Sequence, residues 1–275
     1  MKPCPPLSCS FRSSSLRLQR TTAGLATLLL ATAPILFQHA TIGYANLPLV
    51  YALAAAIILL QRALAAAPGA AQNASFLFAG AFLALGAWTR PAGLLLSWIV
   101  AALAVAWNLP AARKTGSLKP LAYLLAPLCL YTLFWLVASR LIYPPSDRNS
   151  GMYQGAITQL MSGNLHIVEA EYILSQFFRD LVSLGVWGAV GFGLLLLPWL
   201  GRRPSGEGGD PSLFSMAAGV CCILLVLGIY QLVSYSPGRD ISWWVSTGLD
   251  RMAMPGIVLL WLGVASQLGV ERPDD

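Results

Sequence analysis

"ALGAWTRPAGLLL" (84–96) places one arginine and one proline between two apolar runs. A charged side chain at the centre of a bilayer costs about 2.5–3.5 kcal/mol on insertion scales, so an arginine beside such runs lies at the interface or faces a protein cavity. Pro91 has a fixed backbone angle and no N–H to donate, which interrupts helices. We therefore predict that two membrane helices meet at a very tight turn at Arg90.

The rest of the chain also has the composition of an integral membrane protein. Of its 275 residues, 57% are hydrophobic and 10% are charged, whereas a soluble domain has about 25% charged residues. A membrane-spanning helix needs roughly 20 mostly apolar residues. Windows of this kind begin near Ala23, Leu47, Ala74, Pro91, Pro120, Leu181, Pro211 and Met254. The predicted fold is all-α, a polytopic transmembrane helical bundle of about eight spans.

The basic residues orient this bundle. Most of them flank the predicted spans on one side of the membrane, namely Lys2, Arg12, Arg17, Arg20, Arg62, Arg113, Lys114, Lys119, Arg202, Arg203 and Arg272. The positive-inside rule therefore predicts a basic cytoplasmic tail (1–22), a transmembrane domain (23–268) and a second cytoplasmic tail (269–275). Because no basic face is interleaved with aromatic residues on a soluble domain, no nucleic-acid partner is predicted.

The opposite, outward side is predicted to carry residues 38–47, 88–91, 143–180 and 235–252. Within the third of these segments, apolar residues recur twice at helical spacing, which predicts two short helices in the membrane interface. They are Met152, Ala156, Ile157, Leu160 and Met161, and then Ile167, Ala170, Ile173, Leu174 and Phe177. Any chemistry is expected at this outward face.

Arg90 has two interpretations. It is either an anchor that reaches the interface beside Trp88, or a fixed positive fork that binds a lipid phosphate through two hydrogen bonds. The second interpretation predicts that an anionic headgroup lies at the tight turn.

The other polar residues of the outward segments also have two interpretations. His39, Tyr44 and Asn46 lie in "FQHATIGYANLPLVY" ahead of the second span. They either frame a site or have structural roles, with Asn46 capping the following helix. Asp250 and Arg251 either contact a ligand or form an interfacial pair that orients the last span.

The outward carboxylates show no spacing typical of acid–base catalysis, and a solvated loop explains most of them. They are Asp147, Glu169, Glu171 and Asp180. With two histidines and no Cys/His cluster at ligand spacing, we predict no structural zinc site. No cofactor is predicted, and a divalent cation held by carboxylates stays open.

Three stretches together resemble one family. They are "TIGYANLPLVYALAAAIILL" (41–60), "FLFAGAFLALGAWTRPAGLLL" (76–96) and "WWVSTGLDRMAMPGIVLLW" (243–261). The chain from about Thr22 onward resembles the bacterial relatives of dolichyl-phosphate-mannose protein mannosyltransferases, which belong to the GT-C superfamily of membrane glycosyltransferases.

This resemblance implies a GT-C-like fold in the bacterial inner (plasma) membrane, part of the cell envelope. The implied reaction moves a sugar from a polyprenyl-phosphate donor to a lipid, glycan or protein acceptor on the outer face. Arg90 matches the basic position of the family's "TRP" turn, and Asp250 and Arg251 match its "STSLDR" stretch. The resemblance thus implies that Arg90 and Arg251 bind the donor phosphate and that Asp250 frames the site. We expect His39, Tyr44 and Asn46 to frame the same site.

The chain departs from the family in two places. Relatives begin with a span and an acid-bearing outward loop that have no counterpart before Thr22, and their "GYADLP" reads "GYANLP" here, with Asn46 in place of the acid. Asparagine cannot act as a carboxylate base, so no catalytic residue is assigned. We expect an amino-terminally truncated chain, or an inactive relative. The alternative function is a non-catalytic membrane subunit that binds a lipid phosphate.

Overall fold

A computed structural model describes residues 24–42, 46–141, 158, 161, 167–200, 211–234 and 240–268, and the regular elements in these ranges are helices. Residues 24–31 form α1. The other helices are α2 (Pro34–Ile42), α3 (Asn46–Ala65), α4 (Ala70–Thr89), α5 (Pro91–Thr115), α6 (Lys119–Leu141), α7 (Ile167–Leu181), α8 (Ala189–Leu200), α9 (Pro211–Ser234) and α10 (Ile241–Leu268). The all-α prediction is confirmed for this part of the chain.

Six of the described helices are long and apolar enough to cross a membrane, namely α3, α4, α5, α6, α9 and α10. They correspond to the second, third, fourth, fifth, seventh and eighth predicted windows. The last of them begins at Ile241, so residues 241–252, predicted as part of an outward loop, are instead its first turns.

The first and sixth windows, which begin near Ala23 and Leu181, do not form long helices. Pro34 lacks the N–H that a continuous helix needs, so the helix breaks between α1 and α2, and α2 has only 9 residues. In the sixth window, residues 182–188 form turns in which Gly188 has φ 58°, and α8 has 12 residues. Hydropathy measures composition and does not detect such breaks, so eight overestimates the long spans among the described residues.

These two breaks lie against each other. The N–H of Ile35 donates to the carbonyl of Val186 at 2.9 Å, and Trp187 in the same turn is buried. A Cβ on Gly188 would lie 3.4 Å from Cδ of Pro34. A backbone N–H at one break is therefore satisfied by a backbone carbonyl at the other break. Irregular backbone inside a membrane bundle requires such pairing.

The predicted tight turn between α4 and α5 is present. Arg90 alone joins the helices, in extended conformation with φ −169° and ψ 158°. A Cβ on Gly93 would lie 2.2 Å from the carbonyl oxygen of Gly86. Because both positions are glycine, the two helices can approach closely directly after the turn.

Helices α9 and α10 are antiparallel and form the most extensive contact in the bundle. The Ser215 hydroxyl donates to the carbonyl of Leu259 at 2.9 Å. Further along, a Cβ on Gly219 would lie 2.7 Å from the carbonyl oxygen of Gly256. Small residues at the contact allow close approach of the backbones, which is how helices commonly associate in membranes.

Several helix ends meet at one end of the bundle, called here the Arg90 end. Asn46, the first residue of α3, hydrogen-bonds to Arg90 after the end of α4. The Tyr131 hydroxyl of α6 donates to the carbonyl of Ala87, 3.3 Å away, so α6 also finishes at this end. The end of α9 contacts the start of α10 through Tyr230 and Gly248.

Helix α7 is the second of the two predicted short helices. It buries Ile173, Phe177 and Leu181 and packs against α9 and α10, while Leu174 and Phe178 on its adjoining face stay exposed. This apolar face is wider than the protein covers, which fits a helix lying in a membrane interface. The first predicted short helix lies outside the described residues, apart from residues 158 and 161.

Candidate anion-binding site

Arg90 is held at the junction of α4 and α5, with its side chain half-buried. Its Nη1 donates a hydrogen bond to Oδ1 of Asn46. Burial lowers the pKa of Arg90, Tyr230 opposes that shift, and the positive charge of Arg251 lowers the pKa further. A guanidinium nevertheless stays protonated in proteins, so Arg90 is a fixed positive charge.

Asn46 offers Arg90 a neutral acceptor. It begins α3 and is only 5% exposed. An amide oxygen orients a guanidinium without cancelling its charge, whereas a carboxylate would form an ion pair. In the ranges that the structure describes, no carboxylate forms an ion pair with Arg90. Arg90 therefore keeps its positive charge available for a ligand.

Asp250 and Arg251 lie in the third turn of α10 and are both half-buried. Oδ1 of Asp250 accepts a hydrogen bond from the backbone N–H of Arg251 at 2.6 Å. Arg251 lies within electrostatic reach of Arg90 and His39. The structure thus brings Arg90, Asp250 and Arg251 to the same end of the bundle.

His39 lies in α2 and is 5% exposed. Burial lowers its pKa, Asp250 opposes that shift, and Arg251 adds to it. A histidine with a pKa below 6.5 is mostly neutral at pH 7. Tyr44, the other aromatic residue predicted in this segment, lies outside the described residues.

Two residues of this end were not predicted as site residues. Tyr230 in α9 lies within electrostatic reach of Asp250, Arg251 and Arg90. A tyrosine near the end of an apolar span is typical of an aromatic belt, so its sequence position does not distinguish it. Only the packing of α9 against α10 shows that it faces the two arginines.

Asp180 is the second of these residues and corrects an expectation, because it is half-buried rather than solvated. Burial raises its pKa, a hydrogen bond of 2.8 Å from Nε2 of Gln176 opposes that shift, and Asp250 raises it further. It lies at the end of α7, which packs on the helices carrying Tyr230 and Asp250. The sequence held no signal for this, since the position of α7 depends on tertiary packing.

Within the described ranges, no group of three or more His, Cys, Asp or Glu side chains could hold a metal ion. The described residues therefore give no support for the divalent cation site that the sequence left open.

Comparisons with protein-family models, curated proteins and solved structures found no match to this chain. The resemblance to the mannosyltransferases therefore rests on the three sequence stretches. The activity that it implies is a proposal.

The arrangement at the Arg90 end is suited to an anion. Two guanidinium groups of like charge lie within reach of each other in a partly buried setting, where their mutual repulsion is unfavourable. An anion with several acceptor oxygens removes that repulsion and takes charge-assisted hydrogen bonds from both groups.

Proposed function

We propose that this chain binds the phosphate of a polyprenyl-phosphate-linked sugar between Arg90 and Arg251, as part of a GT-C-type glycosyltransferase. The observation that carries the proposal is the half-burial of these two arginines at one end of the bundle. The other described arginines, Arg62, Arg113, Arg140 and Arg179, are exposed. Two half-buried guanidinium groups favour an anion with several acceptor oxygens between them, because each can donate charge-assisted hydrogen bonds to it.

The surroundings of the site favour a lipid-linked anion. Trp88, two residues before Arg90, is 71% exposed. Trp243 and Trp244 stack edge to face at the start of α10, with ring centroids 5.4 Å apart. Tryptophans are enriched at the level of lipid headgroups, where the phosphate of a polyprenyl lipid lies. A ligand anchored in the bilayer reaches this level by lateral diffusion.

The proposed chemistry is substitution at the anomeric carbon of the sugar. The bond from that carbon to the lipid phosphate oxygen breaks, a bond to the acceptor oxygen forms, and the acceptor proton is released to water. Negative charge develops on the departing phosphate, and preorganised guanidinium groups stabilise it. Arg90 and Arg251 are assigned this role, and His39, Asn46 and Asp250 frame the site.

The orientation belongs to the same proposal. The exposed cations Arg62, Arg113, Lys114 and Lys119 lie near the helix ends opposite the Arg90 end. The positive-inside rule assigns that opposite side to the cytoplasm. Sugar transfer would then take place on the outer face of a bacterial inner membrane.

A second candidate function is binding of the lipid phosphate without transfer. The hydrogen bond between Asn46 and Arg90 favours it. The family places an acid at the position of Asn46, and here that residue is a neutral acceptor that cannot take a proton from an acceptor hydroxyl. A membrane subunit that only holds the lipid needs no base.

One experiment separates these functions. The full chain, reconstituted in liposomes, is supplied with a polyprenyl-phosphate mannose carrying a radiolabelled sugar, together with a bacterial membrane-lipid extract as acceptor. Transfer predicts loss of label from the donor and release of free polyprenyl phosphate. Binding of the donor without release would select the non-catalytic subunit, and failure to bind the donor would refute both proposals.

A further inference from the structure

We propose that Tyr230 is a third phosphate-binding group of the site, positioned by Gly248, and that its hydroxyl donates a hydrogen bond to a phosphate oxygen. This inference rests on the proposed function, since it concerns the same ligand. It adds a neutral donor from α9 to the two guanidinium groups. Neither the sequence motifs nor the resemblance assigns a role to Tyr230.

Tyr230 is a buried tyrosine, 6% exposed. The hydroxyl of a buried tyrosine normally has a hydrogen-bond partner. Tyr230 interacts electrostatically with Asp250, Arg251 and Arg90. A hydroxyl that lies beside two guanidinium groups can donate to an anion that these groups bind.

Gly248 sets the position of this hydroxyl. A Cβ at residue 248 would lie 2.6 Å from the Tyr230 hydroxyl oxygen and 3.8 Å from Nη2 of Arg251. The hydroxyl and the Arg251 guanidinium therefore flank the same point on α10. Both groups can reach one phosphate, and each phosphate oxygen accepts more than one hydrogen bond.

The glycine itself supports this interpretation. Glycine within a helix is less favourable than alanine by about 0.5–1 kcal/mol, so it is used where a side chain would collide. At residue 248 the collision would involve the hydroxyl oxygen of Tyr230, since the ring carbon Cζ is 3.9 Å away and in ordinary contact. Gly248 thus makes room for the hydroxyl and not for the ring.

This distinction defines a double-mutant test. The variants are Tyr230→Phe, Gly248→Ala and the combination of both, and the probe is farnesyl phosphate binding to the full chain in detergent micelles. Loss of a hydrogen bond to a charged group predicts that Tyr230→Phe weakens binding about tenfold or more. Gly248→Ala should weaken binding in the chain that keeps Tyr230. It should have little further effect in the Tyr230→Phe variant, because the clashing oxygen is gone.

Two matched controls accompany these variants. A Cβ on Gly228, in the same helix as Tyr230, meets nothing within 4 Å, so Gly228→Ala should retain full affinity. Farnesol tests the lipid chain without the phosphate, and its weak binding should be equal in all variants. Inorganic phosphate tests the headgroup without the lipid chain. Tyr230→Phe should weaken the binding of inorganic phosphate too, because the hydroxyl contacts the phosphate.

The inference is overturned if Tyr230→Phe binds farnesyl phosphate as tightly as the unsubstituted chain. It is also overturned if Gly248→Ala costs the same affinity with and without the Tyr230 hydroxyl, because the glycine would then serve helix packing alone. In both cases weaker binding by Arg90→Ala would leave the proposed function standing. If the unsubstituted chain does not bind farnesyl phosphate, the proposed function itself fails.

Discussion

Basic side chains occupy the two ends of this bundle in different ways. At the end with the α3–α4 and α5–α6 connections, Arg62, Arg113 and Lys114 are exposed. At the Arg90 end, Arg90 and Arg251 are half-buried beside other polar groups that are themselves buried. Exposed cations need no ligand, because water and lipid headgroups solvate them. Half-buried cations of like charge can be stabilised further by an anion between them. We therefore propose that the exposed cations orient the bundle and that the half-buried pair binds a ligand.

The largest effect is expected from removing either half-buried arginine. Arg90→Ala and Arg251→Ala should each weaken farnesyl phosphate binding about tenfold to hundredfold, because each change removes charge-assisted hydrogen bonds to the phosphate. Isothermal titration calorimetry on the full chain in micelles measures this directly.

Two exposed arginines provide the controls for this experiment. Arg113→Ala tests the opposite end, and Arg140→Ala tests the Arg90 end, since α6 finishes there. Both should bind within about twofold of the unsubstituted chain, because exposed charges contribute little. Equal weakening by Arg113→Ala would mean that overall positive charge attracts the lipid, and the distinction between the two ends would fail.

The contrast between the ends was only partly predictable from sequence. Hydropathy located the six long helices, and the single Arg90 between two apolar runs located the tight turn. The breaks at Pro34 and at residues 182–188 were missed, because composition does not encode a local backbone conformation. Tyr230 and Asp180 were missed for another reason, since their role depends on which helices pack together.

A medium effect is expected from replacing Asn46 by aspartate. A carboxylate at this buried position would form an ion pair with Arg90 and cancel its charge, so Asn46→Asp should weaken farnesyl phosphate binding about tenfold. Asn46→Ala is the control, because it removes the same hydrogen bond and leaves the charge. The charge argument requires Asn46→Asp to bind more weakly than Asn46→Ala. The reverse order would show that Asn46 acts through hydrogen bonding alone.

The smallest effect is expected from titration of His39, whose environment belongs to the Arg90 end. Burial lowers the pKa of His39 in the folded chain, Asp250 opposes that shift and Arg251 adds to it. A lowered pKa means that folding favours the neutral imidazole, so the stability contributed by His39 is present above its ordinary pKa of about 6.5. That stability is lost as the pH falls through the folded pKa.

Thermal unfolding between pH 7.5 and pH 5, about the ordinary pKa of histidine, measures this loss. The melting temperature of the unsubstituted chain should fall by a few degrees more than that of His39→Gln over this range. Asp180 acts in the opposite direction, because burial raises its pKa and acidification relieves the cost of its charge. Comparing the two chains removes that contribution, which is common to both. Equal changes of melting temperature with pH in the two chains would show that His39 is solvated alike in the folded and unfolded states. Water would then have more access to the Arg90 end than the burial of His39 indicates.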